Sequence, residues 1–239
     1  MKTKPLEQFL EFGSRRIAYR LNRDLHRTLR IRVRPDLTVN VRAPNSANDD
    51  EIKAVVRKKA YWIARTLDRM ESYHPLPAPK KYINGETFCY LGRQYRLRIN
   101  QGEKQPARLH GRFLFVQIPD RENSIPARCM VEDWYAARAK EIFTRYLAEC
   151  LCTAARHGVP APRVVFRQMK VRWGSCSSKG LITLNVNLVK APVHCVQYVI
   201  MHELCHLKHH NHSKAFYSLL GRCMPDWQVR KKALTELAL

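Results

Sequence analysis

Acid is what this chain has least of. Its 239 residues carry 43 Lys and Arg against 20 Asp and Glu, a formal charge of +23. The shortfall is not confined to a tail: residues 1–80 hold 18 basic and 9 acidic side chains, and residues 161–239 hold 12 and 3. Between Ala161 and Pro225 a single acidic residue remains, Glu203. A field of this sign attracts polyanions such as nucleic acid, nucleotides or acidic surfaces, by a non-specific and salt-sensitive route. The basic residues are not interleaved with a stacking platform, so a dedicated nucleic-acid surface does not follow from them. Long apolar runs are also missing. Nothing, including the opening MKTKPLEQFLEFG, is apolar for long enough to direct export or span a membrane, so no membrane partner is expected. Of the eight cysteines, no two are spaced C-x-x-C, which reads as a reduced set in a cytoplasmic protein.

Against that background one stretch stands out, Val196 to Phe216, VQYVIMHELCHLKHHNHSKAF. It contains H-E-x-x-H at His202-Glu203-Leu204-Cys205-His206. Residues four apart share a helix face, so His202 and His206 offer two imidazoles to one metal ion. Glu203 is placed to take a proton from a metal-activated water. The approach is apolar (Val196, Val199, Ile200, Met201), which predicts a buried helix, and a buried carboxylate is costly unless something specific holds it. His212 is the expected third ligand. A straight helix would carry His209 about 10 Å along the axis from His202, too far for one ion with bonds near 2 Å. The helix is therefore expected to end near His209 to Asn211, with Asn211 as a left-handed terminator, and His212 to swing back.

Gln168-Met169-Lys170-Val171-Arg172-Trp173-Gly174-Ser175-Cys176, Leu181-Ile182-Thr183-Leu184-Asn185, the HELCH helix, Asn211-His212-Ser213 and Met224-Pro225-Asp226-Trp227 together resemble the YgjP-like metal-dependent hydrolases, usually grouped with zincin peptidases. The resemblance runs roughly from Arg15 to Lys232. It implies a zinc hydrolase core within one integrated domain.

Taken in order, residues 1–14 read as a loose leader. Ile17, Tyr19 and Leu21, then Leu29, Ile31 and Val33, then Leu37, Val39 and Val41 alternate as short antiparallel strands with arginines facing water. A helix follows from about 48 to 73, capped by Ser46 or Asn48. Pro75, Pro77 and Pro79 break the chain. Strand pairs are expected around Gly92 and Gly111, and a long helix from Pro126 to about His157. Val164 to Trp173 and Leu181 to Leu188 read as a hairpin, with Thr183, Asn185 and Asn187 on one face. Pro192 opens the motif helix, and Ser213 and Asp226 cap two more. The class is α+β: an N-terminal, mostly antiparallel β platform with one long helix (15–124), then a zincin-like core of helix, antiparallel hairpin, H-E-x-x-H helix and C-terminal helices (125–239).

The chemistry expected is metal-assisted hydrolysis, with one Zn2+ on His202, His206 and His212 and Glu203 as general base. Arg172, Tyr217 and His210 are candidates for stabilising an oxyanion, and the strand bearing Trp173 for holding an extended peptide. Cys176 as a fourth ligand would close the site and leave no position for water. Three functions remain open: a cytosolic metallopeptidase acting on peptide or protein, a hydrolase of phosphate anhydrides in nucleotides, and a nucleic-acid-associated protein with a structural metal.

Overall fold

The computed structural model describes residues 6–13, 15–25, 28–34, 36–71, 78–120, 123–169 and 172–237. The chain packs as two compact units, Met1–Ala78 and Pro79–Leu239. The division falls beside the prolines at 75, 77 and 79, and the strands around Gly92 and Gly111 lie in the second unit rather than with the N-terminal ones.

The first unit holds β1 (Leu6–Phe12), β2 (Arg15–Asp24), β3 (Arg30–Val33) and β4 (Val39–Pro44), in the order β1-β2-β4-β3. Part of the expected leader is thus strand: Leu10 faces Ile17 across the β1–β2 pair, and both are buried. The sheet is mixed rather than antiparallel. β4 runs parallel to β2, aligning Tyr19 with Val39 and Leu21 with Val41, so all four apolar side chains enter one core. Arg16 and Arg20 point to water, as the alternation requires.

The single helix expected from 48 to 73 is α1 (Asp49–Lys58) and α2 (Ala60–Glu71), and residues 72 and 73 lie outside the described residues. Lys59 between them leaves helical geometry (φ −100°, ψ 3°), although its N–H still reaches the Val55 and Val56 carbonyls. Asn48 is the cap. It accepts from Glu51 N at 2.7 Å, and the Glu51 carboxylate takes the Asn48 N–H at 3.2 Å. Ile52, Val56, Ile63 and Leu67 complete this core.

The second unit begins with β5 (Thr87–Tyr90), β6 (Arg93–Gln101), β7 (Gln105–His110) and β8 (Phe113–Ile118), ordered β5-β6-β8-β7, again with a parallel central pair. The turns sit at Gly92 and Gly111, both with left-handed φ. Helix α3 (Ser124–Ala155) is capped by Asn123, which accepts from Ile125 N at 3.1 Å. It buries Met130, Trp134, Tyr135, Ala139 and Phe143 in the larger core.

The expected hairpin is three short strands instead, β9 (Arg163–Arg167), β10 (Gly174–Cys176) and β11 (Leu181–Asn185), in the order β10-β11-β9. β11 pairs parallel with β9 and antiparallel with β10, and is buried on both faces apart from Leu181. Thr183 and Asn185 therefore do not form an exposed face. Trp173 lies just before β10, not in it. The chain leaves β11 through a 3-10 helix, Val186–Lys190, rather than continuing as strand to Leu188. The reason is Asn185. Its buried side chain accepts from Asn187 N at 3.1 Å, turning the chain into the 3-10 helix. Helices α4 (Val193–His206), α5 (Lys214–Cys223) and α6 (Trp227–Thr235) follow. The α+β class is borne out.

Candidate metal centre and cleft

The site is built on α4, buried along most of its length through Cys195, Val196, Tyr198, Val199, Ile200 and Met201. This apolar surface fixes the rotation of the helix, and with it the face that carries His202 and His206. α4 ends at His206, earlier than expected. The Cys205 carbonyl takes the N–H groups of Lys208 and His209, and no residue from Leu207 to Ser213 has positive φ. The turn back therefore needs no left-handed Asn211. Ser213 caps α5, accepting from Phe216 N at 3.4 Å, and this restart sets His212 against the first two histidines.

His202, His206 and His212 form a cluster that could hold a metal ion, and it is the only such group among the described residues. The Nε2 atoms of His206 and His212 lie 3.2 and 3.0 Å from Nε2 of His202. Nitrogens bonded tetrahedrally to one zinc ion are about 3.3 Å apart, so these residues fit the ion. Their protonation fits as well. Burial, reinforced by His206 and His212, pushes His202 down to about 3, and burial also lowers His206. His202 and His206 are thus neutral donors at ordinary pH. His206 Nδ1 lies 3.0 Å from the His209 carbonyl, which places the ring proton on Nδ1 and leaves Nε2 facing the cluster. Phe216 is fully buried beneath all three rings, with centroids 5.0, 4.5 and 4.9 Å from those of His202, His206 and His212. Cys176 stands in the cleft wall but outside the cluster.

Glu203 is 6% exposed, and burial raises its carboxyl to about 7, partly offset by Arg172. Gly174 is what lets it fit. A Cβ on that residue would lie 2.7 Å from Glu203 Oε1 and 2.8 Å from its Cγ. The glycine between Trp173 and Ser175 is therefore a seat for the carboxylate. The segment before it is pinned by Asn185, whose Nδ2 donates to the carbonyls of Met169 and Arg172, both at 2.8 Å. The Trp173 carbonyl takes the Asn185 N–H at 2.8 Å. Lys170 and Val171 lie outside the described residues.

Two cavities meet over His202 and Glu203. One, about 450 Å³, is lined by Ser175, Cys176, Ser178 and His210; the other, about 300 Å³, by Trp173, Tyr198, Lys231 and Thr235. Both share Arg172 and Gly174. Arg172, Trp173 and His210 thus line the cleft. Tyr217 does not: it stacks between His212 (ring centroids 6.0 Å apart) and Trp227 (5.2 Å), behind the cluster. Tyr198 and Lys231 were not among the sequence candidates. Tyr198 was legible in principle, four residues before His202 on the same helix face; Lys231, on α6, had no such signal. Among the described residues no helix is long and apolar enough to cross a membrane.

The family description "YgjP-like, metallopeptidase domain" matches residues 27–237. Curated proteins give no match. Among solved structures, the metallopeptidase zymogen abylysin of Pyrococcus abyssi is 24% identical, with a TM-score of 0.33 over 38% of this chain and 87% of that one. The jannalysin zymogen of Methanocaldococcus jannaschii is 22% identical, with a TM-score of 0.35 over 40% and 90%. The family match spans nearly the whole chain, so the protein belongs to the YgjP-like metallopeptidase family and is a metal-dependent hydrolase.

Proposed function

We propose that the protein is a cytosolic zinc peptidase in which His202, His206 and His212 hold the ion and Glu203 is the general base. The observation that carries this reading is the convergence of three imidazole Nε2 atoms beside a buried carboxylate. Zinc there would supply Lewis acidity and an acidified water. Glu203 takes the proton of the attacking water and delivers it to the leaving amide nitrogen, a transfer suited to a carboxyl held near neutrality. Arg172 and His210 face the same cleft and are the candidates for stabilising the developing oxyanion; Tyr198 adds a phenol. β10 is an edge strand beside the cleft, and its outer backbone groups can pair with an extended peptide. Eight free cysteines suit a reducing compartment.

The test is metal analysis of the purified protein, followed by parallel incubation of the zinc-loaded form with denatured protein and with nucleotides. Peptide products with intact nucleotides are expected. The opposite pattern would replace this reading with phosphate-anhydride hydrolysis, for which the basic surface is the supporting feature.

A further inference from the structure

The 300 Å³ cavity on one side of Glu203 has a charge pattern that peptide cleavage alone does not require. Apart from Glu203, its charged lining residues are Arg172 and Lys231. Neither takes part in a salt bridge among the described residues, in contrast to the cation next in sequence. Arg230 is fully engaged, donating to Asp226 Oδ2 at 2.8 Å and to Gln197 Oε1 at 2.8 Å. Two adjacent cations on α6 therefore serve different ends. Arg230 ties α6 to α4, while the Lys231 ammonium lies 5.8 Å over the Trp227 ring and lines the cleft. The remaining walls are Trp173, Tyr198, Val199 and Leu234, apolar surfaces against which a short methylene stem can lie. Such a volume holds one side chain rather than a nucleotide.

Building on the peptidase reading, we propose that this cavity is a specificity subsite for a carboxylate. The substrate presents an acidic side chain, or its free C-terminal carboxylate, next to the cleaved bond, and Lys231 with Arg172 selects it. The opposite cavity, with Ser175, Cys176 and Ser178, shares Arg172 but has no lysine, so Lys231 is what distinguishes the two sides.

The experiment uses matched fluorescent peptides with Glu, Gln or Lys at each position flanking the cleaved bond, and each peptide with a free or an amidated C-terminus. Binding is read first, by anisotropy, on the full-length zinc-loaded Glu203→Gln protein, so that the result does not depend on turnover. The same series is then cut by the wild type. Lys231 and Arg172 are exposed, so Glu at one flanking position should bind about 2- to 5-fold more tightly than Gln, the scale of a solvent-accessible charge pair. Lys231→Met should bring that ratio near one, and Lys231→Glu should invert it toward Lys. If the free C-terminus rather than the side chain carries the effect, the amidated peptides lose it. Equal binding of Glu and Gln peptides, or a ratio unchanged in both Lys231 variants, overturns the carboxylate subsite while leaving the peptidase reading intact. Failure of every peptide to bind, with nucleotides turned over, overturns both.

Discussion

Replacing Glu203 by glutamine is expected to stabilise the metal-free protein at pH 8 while abolishing hydrolysis. Burial raises the Glu203 carboxyl from 4.5 to about 7. The folded chain therefore binds this proton more tightly than the unfolded chain, and folding stability falls as pH rises through that window. The full cost is present above pH 7 and absent below pH 4.5; it amounts to roughly 3 kcal/mol. Glutamine fills the same space without a charge, so the variant should escape the cost. Melting followed by circular dichroism on chelator-treated protein should show no difference at pH 4. At pH 8 the variant should melt roughly 6–12 °C higher, from the usual relation between stability and midpoint for a chain of this size. His202 acts in the opposite direction. Its pKa is pushed from 6.5 to about 3, so stability is lost as pH falls between those values, but this is common to both proteins and cancels in the comparison. With zinc restored, the variant should bind the metal and lose about 10²- to 10⁴-fold in rate, the scale of a general base. A melting difference that does not vary with pH, or a variant less stable at pH 8, would refute the claim that this carboxylate is kept at the expense of stability.

Gly174→Ala should leave metal content unchanged but lower the rate about 10²-fold, because a Cβ 2.7 Å from Glu203 Oε1 forces the carboxylate out of place; metal analysis beside a rate assay checks it. Phe216→Ala should cost about 3–5 kcal/mol in chemical denaturation and weaken zinc binding in a competition titration, since the three imidazoles lose their common floor. Thiol labelling at pH 8 should modify exposed Cys89, Cys129 and Cys152 first. Cys150 and Cys205, buried and pushed up to about 12, should react only after unfolding, which mass spectrometry resolves.

The histidine cluster was legible because helix periodicity and bond length are local rules: His202 and His206 share a face, and reach excludes His209 and favours a returning His212. The seat of Glu203 was only half legible. A glycine follows Trp173, but the side chain that closes on it is 29 residues away and only the fold brings the two together. Asn185 was misplaced for a related reason. Alternation put it on the face opposite Ile182 and Leu184 in a strand running to Leu188, whereas its side chain takes over hydrogen bonding that the strand itself abandons. The parallel pairing of β2 with β4, and of β9 with β11, escaped because strand patterning records which face is apolar and not which neighbour lies alongside.

The two units trace the same path: four strands with an identical order, a parallel pair at the centre, and an asparagine opening the next helix. Only the second of these sheets is continued into the stretch that carries the three imidazoles and Glu203, so the shared strand order does not by itself make that cluster. What sets the second unit apart is the added β9–β11 sheet and the helix α4 that follows it.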